Sequence, residues 1–99
     1  MYERISKEQK EVAKILKALS HPARVYIIEE ISRNKICVCS LAKKLNLSFG
    51  GISRHFSILK SAGIVEEEKD GNNIYYKIKS KCIIELLKKA YESNSCIKN

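Results

Sequence analysis

The stretch from Leu47 to Gly63, LSFGGISRHFSILKSAG, sets the tightest limit on what this chain can become. Phe49, Ile52, Phe56 and Leu59 recur at i, i+3, i+7 and i+10, the period of one face of an α-helix. That stripe is expected to hold the helix to a core. Ser48 stands at the N-cap position, and Gly63 stands where such a helix stops. The opposite face carries Gly50, Arg54, Ser57 and Ser61, with Ser53 beside them. An ordinary solvated face would carry more Glu and Lys. Small and hydroxyl side chains around one guanidinium suit close approach to a polyanion and to base edges.

The neighbouring residues give this helix a setting. Ser40 is placed to cap a short helix to about Asn46, with Leu41 and Leu45 facing inward. Only Asn46-Leu47-Ser48 then separates the two helices, so residues 40–63 read as a helix-turn-helix. Upstream, residues 6–19 read as a helix with Val12, Ile15, Leu16 and Leu19 as its stripe. A second helix is expected from a Ser20 cap, with Pro22 in the first turn, to about Arg33. Ile36-Cys37-Val38-Cys39 alternates and is expected to be extended. Downstream the period falls to two. Residues 64–79 read as a hairpin of two strands, Ile64 to Lys69 and Ile74 to Lys79, around Asp70-Gly71-Asn72-Asn73. Glu66, Glu67 and Glu68 can pair across it with Lys77 and Lys79. A last helix, capped by Ser80, is expected over 81–92, with the residues after it fraying.

This order predicts one domain over residues 1–99, mainly α with a β-hairpin wing: a winged helix-turn-helix. The chain resembles the ArsR/SmtB family of small winged-helix transcriptional repressors. The likeness is carried by Ala18-Leu19-Ser20-His21-Pro22-Ala23-Arg24, by Cys37-Val38-Cys39-Ser40-Leu41, by Ser53-Arg54-His55-Phe56 through Leu59, by Ala62-Gly63-Ile64-Val65 and by the Gly71 hairpin. Together these run nearly the whole chain in the family's order. The resemblance implies a homodimer in which the first and last helices, 6–19 and 81–92, pair between subunits. It also implies that each recognition helix enters the major groove of a double-stranded DNA operator. The residues agree, since both end helices carry apolar stripes that a second copy would hide. The alternative is that both wrap the monomer's own core.

Arg54 is the first candidate for a base or phosphate contact, and Ser48, Ser53 and Ser57 are candidates for hydrogen bonds to phosphate or base edges. His55 lies at the border of the stripe, where a packed histidine competes with a DNA contact. Lys60 reaches toward phosphate or is simply solvated. Lys69, Asn72 and Asn73 are wing candidates for the minor groove or backbone, or merely a soluble turn. Phe49-Gly50-Gly51 departs from the polar first turn usual in the family. Two helical glycines cost about 1 kcal/mol each relative to Ala. Either DNA comes unusually close there, or the helix starts later. Glu66 to Glu68 are expected to face away from the duplex.

With 19 Lys and Arg against 11 Asp and Glu, the formal charge is +8, which favours nucleic acid as partner. Liberal use of Lys would produce the same total. No apolar run approaches the roughly 18 residues of a membrane span. The opening MYERISKEQKEV has no export signal, so the expected location is cytoplasmic, with no membrane partner. No catalytic constellation is present, so an enzyme is not expected.

Four cysteines in a cytoplasmic chain point to metal or redox chemistry. In an extended segment Cys37 and Cys39 project to the same side, within about 7 Å; in a helix they diverge. In the family, Cys-Val-Cys at this place marks sensors of arsenite, cadmium or lead. The implied effector is a thiophilic metal or metalloid ion, with no resident cofactor required. Such sites need three or four ligands. The third cysteine of arsenic sensors is replaced by Ser40-Leu41-Ala42, and the N-terminal cysteines of cadmium sensors are absent. Cys82 or Cys96, from the same or the other subunit, would have to complete the site. Those two lie fourteen residues apart, about 21 Å along one helix. A zinc site in the last helix is not expected, because no His follows His55. Redox switching is the main rival, and incidental cysteines in a ligand-independent DNA-binding winged helix are another reading. A winged helix used only for protein interaction would bind no DNA.

Overall fold

The structure is a computed structural model that describes residues 4–98. Five helices and one hairpin follow in order: α1 (Lys7–Leu19), α2 (Pro22–Arg33), α3 (Val38–Leu45), α4 (Phe49–Ser61), β1 (Val65–Asp70), β2 (Asn73–Ile78) and α5 (Lys81–Lys98). No helix among the described residues is long and apolar enough to cross a membrane.

Local chemistry fixes each boundary. A capping box opens α1, with the Gln9 N–H donating to Ser6 Oγ and the Ser6 N–H donating to Gln9 Oε1, both at 2.9 Å. The cap of α2 is His21, not the expected Ser20. Proline takes the first helical position, so the residue before it must cap, and His21 Nδ1 accepts from the Ala23 N–H at 3.0 Å. Ser20 instead closes α1, its hydroxyl donating to the Lys17 carbonyl at 2.6 Å.

The cysteine segment also departs from expectation. Cys37 is extended and forms an isolated bridge with Tyr75, but Val38 already begins α3. Val38, Leu41 and Ala42 share one buried face at i, i+3 and i+4, and burying Val38 on that face favours the helix. The helix-turn-helix connector then turns on Asn46, whose φ of 54° is left-handed, while the Leu47 N–H reaches back to the Ala42 carbonyl at 2.8 Å. Ser48 caps α4, its hydroxyl accepting from the Gly51 N–H at 3.1 Å. At the other end Gly63 takes φ 77°, and the Ile64 N–H bonds the Leu59 carbonyl at 3.0 Å. This C-terminal motif needs a residue free of the Cβ penalty, and it sends the chain directly into the wing.

The wing is an antiparallel pair in register from Val65 opposite Ile78 to Asp70 opposite Asn73. Its turn is Gly71-Asn72, with the positive φ on Gly71. The last helix does not end near residue 92 but continues to Lys98. No Gly or Pro follows Ser80, so nothing in the sequence stops it.

The core gathers around α4. Ile52, Phe56 and Leu59 are buried against Ile27, Ile28, Leu41, Ile64 and Val65. Tyr76 of β2 lies flat on Phe56, ring centroids 4.1 Å apart, which ties the wing to the helix. Phe49 overturns an expectation. Its spacing puts it on the anchoring stripe, yet it is 66% exposed. The core ends one turn short of it.

Candidate nucleic-acid interface and thiol pair

The outer face of α4 follows from its buried one. With Ile52, Phe56 and Leu59 fixed inward, Arg54 and Ser57 are exposed and Ser53 is partly exposed. Ser48 is exposed, but its hydroxyl is already engaged as the cap. Phe49 joins this outer surface at the first helical position. Periodicity misses it, because i, i+3 spacing cannot show where a core stops. The one signal in the sequence is its place beside two glycines that have no side chain to bury.

His55 turns toward the body of the fold. Arg24 Nη1 lies 3.0 Å from His55 Nδ1, and Arg24 Nε donates to the Ala18 carbonyl at 2.6 Å. A guanidinium can only donate, so Nδ1 is a bare acceptor and the proton is assigned to Nε2 of a neutral ring. Burial first, then the neighbouring His21 and Arg24, hold His55 below the ordinary imidazole value. The His21 ring is 4.7 Å away, so one cluster joins the end of α1, the start of α2 and the middle of α4. Lys60 points to the wing, its Nζ 3.7 Å from Glu67.

At the wing tip Lys69, Asn72 and Asn73 are all exposed. Asp70, among them, is held by Lys35 at 2.9 Å. Lys77 lies 3.3 Å from Glu66 and 4.0 Å from Glu68, so two of the three wing glutamates are charge-compensated across the hairpin, in line with their register.

Cys37 and Cys39 meet despite the helix, because Cys37 is the cap and keeps extended dihedrals while Cys39 occupies the first turn. Their sulfurs are 2.7 Å apart, and Ser40 Oγ lies 3.2 Å from the Cys37 sulfur. Hydrogen bonding from Cys39, then from the Ser40 hydroxyl and backbone N–H, brings the Cys37 thiol down from 9.0 to about 7. The Cys39 thiol moves up, chiefly because it is the donor to Cys37. Near pH 7 the Cys37 thiol is therefore about half ionised, and the Cys39 thiol donates to the thiolate that forms. Cys82 and Cys96 are exposed on α5. Among the described residues, no third His, Cys, Asp or Glu joins any pair to form a metal-holding group. The described residues of one chain therefore bring two sulfurs together for a soft ion, short of a full set.

Comparison with known proteins agrees with this architecture. The family described as bacterial regulatory protein, arsR family, matches residues 21–67. A cadmium resistance transcriptional regulatory protein CadC homolog of Staphylococcus aureus is 35% identical over 82% of this chain and 68% of its own length. This chain spans between 60% and 68% of the length of three regulators it matches in sequence. The crystal structure of Rv0081 from Mycobacterium tuberculosis superposes with a TM-score of 0.83 at 30% identity, covering 93% of both chains. A homodimeric winged helix-turn-helix DNA-binding domain from Mycobacterium bovis shares the fold, with a TM-score of 0.82 at 23% identity over 96% of this chain and 88% of that one. The helix-turn-helix, the wing and these matches together make the chain a member of the ArsR family of bacterial transcriptional regulators.

Proposed function

We propose that this chain is a DNA-binding repressor that works as a homodimer and is released from its operator by a thiol-directed signal at Cys37 and Cys39. The observation that carries the DNA reading is the two-sided build of α4. Its inner side is locked into the core, and its outer side offers Arg54, Ser53, Ser57 and Phe49. Arg54 suits a guanine edge or a phosphate, the serines suit phosphate or base edges, and Phe49 suits a thymine methyl. Lys69, Asn72 and Asn73 extend the surface along the wing. His55 positions the helix through Arg24, and Lys60 positions the wing.

Pairing of two chains is supported by the ends of the molecule. Val12 and Leu16 on α1, and Leu86, Tyr91 and Ile97 on α5, are large apolar side chains left exposed. An apolar groove of about 450 Å³ between α2 and α5, lined by Val25, Leu87 and Tyr91, adds to them. A second copy would cover this surface and set two recognition helices about one DNA turn apart.

The contact of the two sulfurs supports the thiol signal, and the CadC homolog named above is a cadmium resistance regulator. A soft ion bound by Cys37 and Cys39 needs a further ligand beyond this pair. Cys82 or Cys96 of the second copy, or a small thiol, would supply it. Oxidation needs none: diamide would take two electrons and two protons from the pair and leave a disulfide.

The test has two parts. Duplexes selected from a random library by the purified protein should contain an inverted repeat, and their affinity should fall steeply with salt. Cadmium, arsenite or diamide should then lower that affinity, and Cys37→Ser should abolish the response. The pH midpoint of Cys37 alkylation should lie near 7 and should rise in Cys39→Ala, where the donor thiol is gone. Affinity indifferent to all three reagents would remove the thiol signal and leave a ligand-independent DNA-binding protein.

A further inference from the structure

We propose that the groove between α1 and α4 is a second phosphate-binding surface, through which α1 grips the DNA backbone beside the bases read by α4. The inference rests on the DNA-binding reading above and adds a contact from a helix outside the helix-turn-helix and wing. The groove holds about 520 Å³. Lys14 and Lys17 of α1, Arg24 of α2, and Arg54, Ser57 and Ser61 of α4 line it. These are four cations and two hydroxyls, and no carboxylate is among the lining residues.

Convergence of four cations on one concavity that no carboxylate lines sets the groove apart. Lys35, Lys44, Lys60, Lys77, Lys88 and Lys89 each lie within 4.0 Å of a carboxylate. Among the described residues, Lys14, Lys17, Arg24 and Arg54 have no such partner, and neither do cations elsewhere such as Lys10, Lys43, Lys69 and Lys81; only in the groove do four of them converge. Cations gathered in one concavity without an acid repel each other, and a polyanion laid into the groove relieves that repulsion. The groove is continuous with the proposed reading face, because Arg54 and Ser57 belong to both.

Pairing of two chains would leave the groove open. At 3.6 residues per turn, Lys17 and Lys14 lie about 140° and about 200° around α1 from Val12, whereas Leu16 lies only about 40° from it. Lys14 therefore lies opposite the apolar stripe that a second copy would cover, and Lys17 lies off it, about 100° round from Leu16. Lys14 and Lys17 are both exposed.

The experiment measures binding of the full chain to a short fluorescent duplex of arbitrary sequence, from about 50 to about 200 mM salt. In Lys14→Gln/Lys17→Gln the plot of log affinity against log salt should flatten by roughly 0.9 for each phosphate no longer neutralised, close to two per chain. Lys88→Gln/Lys89→Gln removes the same charge from α5 and should leave the slope unchanged. Lys14→Arg/Lys17→Arg, which keeps the charge, should retain the wild-type slope, and thermal melts check that each variant folds. An unchanged slope in Lys14→Gln/Lys17→Gln, or an equal flattening in both glutamine pairs, overturns the groove alone. The first outcome would mean that the groove meets no phosphate or is covered by a second copy; the second would mean that only net charge matters. A wild-type protein with no salt-dependent duplex binding overturns the DNA reading, and the groove falls with it.

Discussion

The two ends of α4 follow opposite rules. From Ile52 onward the helix is anchored, with Ile52, Phe56 and Leu59 no more than 1% exposed and a Gly63 turn that delivers Ile64 into the same core. The first turn, Phe49-Gly50-Gly51, anchors nothing. Phe49 is open to solvent, and a Cβ added to Gly50 would find only Ser48 Oγ, 4.0 Å away. The fold therefore gives no packing reason for glycine at position 50. One end is shaped by what lies inside the protein, and the other is free to be shaped by what lies outside it.

Substitutions at the two phenylalanines separate these ends most sharply. Phe56→Ala removes a fully buried ring and its stack on Tyr76, and should cost about 3–5 kcal/mol of stability in denaturant titrations at fixed protein concentration. Phe49→Ala should change stability by no more than about 0.5 kcal/mol, as exposed positions do. It should nonetheless weaken binding to duplexes selected by the wild type. A comparable stability loss at both positions would erase the contrast.

A smaller effect of opposite sign is expected at Gly50. Gly50→Ala should stabilise the fold by about 0.5–1 kcal/mol, because Ala is the better helix former and the added methyl meets no obstacle. The same methyl should reduce affinity for DNA. A stabilised variant with undiminished affinity would show that the duplex does not approach the first turn.

The smallest effect concerns pH and the anchored end. The folded chain holds His55 below its ordinary value of 6.5, so the unfolded chain binds more protons as pH falls toward and below that value. The His55 contribution is therefore complete above pH 6.5. It is lost as pH drops through 6.5 toward the lower folded value, and it levels off below that. Thermal midpoints across this window should fall in the wild type and fall less in His55→Gln, whose amide oxygen can still accept from Arg24.

Much of the fold is legible in the residues. Ser48, Gly63 and the short Asn46-Leu47-Ser48 connector are local chemistry, and each acts within a few residues of where it stands. The wing is legible too, since Gly71 and the alternation of Ile74, Tyr76 and Ile78 fix turn and register together. The misses share a different cause. The exposure of Phe49 depends on where the core surface ends, a tertiary fact that the stripe continues past. The start of α3 depends on burying Val38 beside Leu41, which alternation in a four-residue run cannot reveal. The meeting of Cys37 and Cys39 follows from that boundary, because it needs one cysteine outside the helix and one inside. The cationic groove is harder still to read, since Lys14 and Arg54 lie forty residues apart in the chain.

The bridge between Cys37 and Tyr75 has a mechanical consequence. Tyr75 is the immediate neighbour of Tyr76, and Tyr76 is pressed against the underside of α4 through Phe56. Under the proposed thiol control, a sulfur that changes partners works on a short crank: one strand residue away sits the plate on which the reading helix rests. Wing and helix would then swing as a single blade, and the protein would release its duplex by re-aiming a rigid part rather than by melting one.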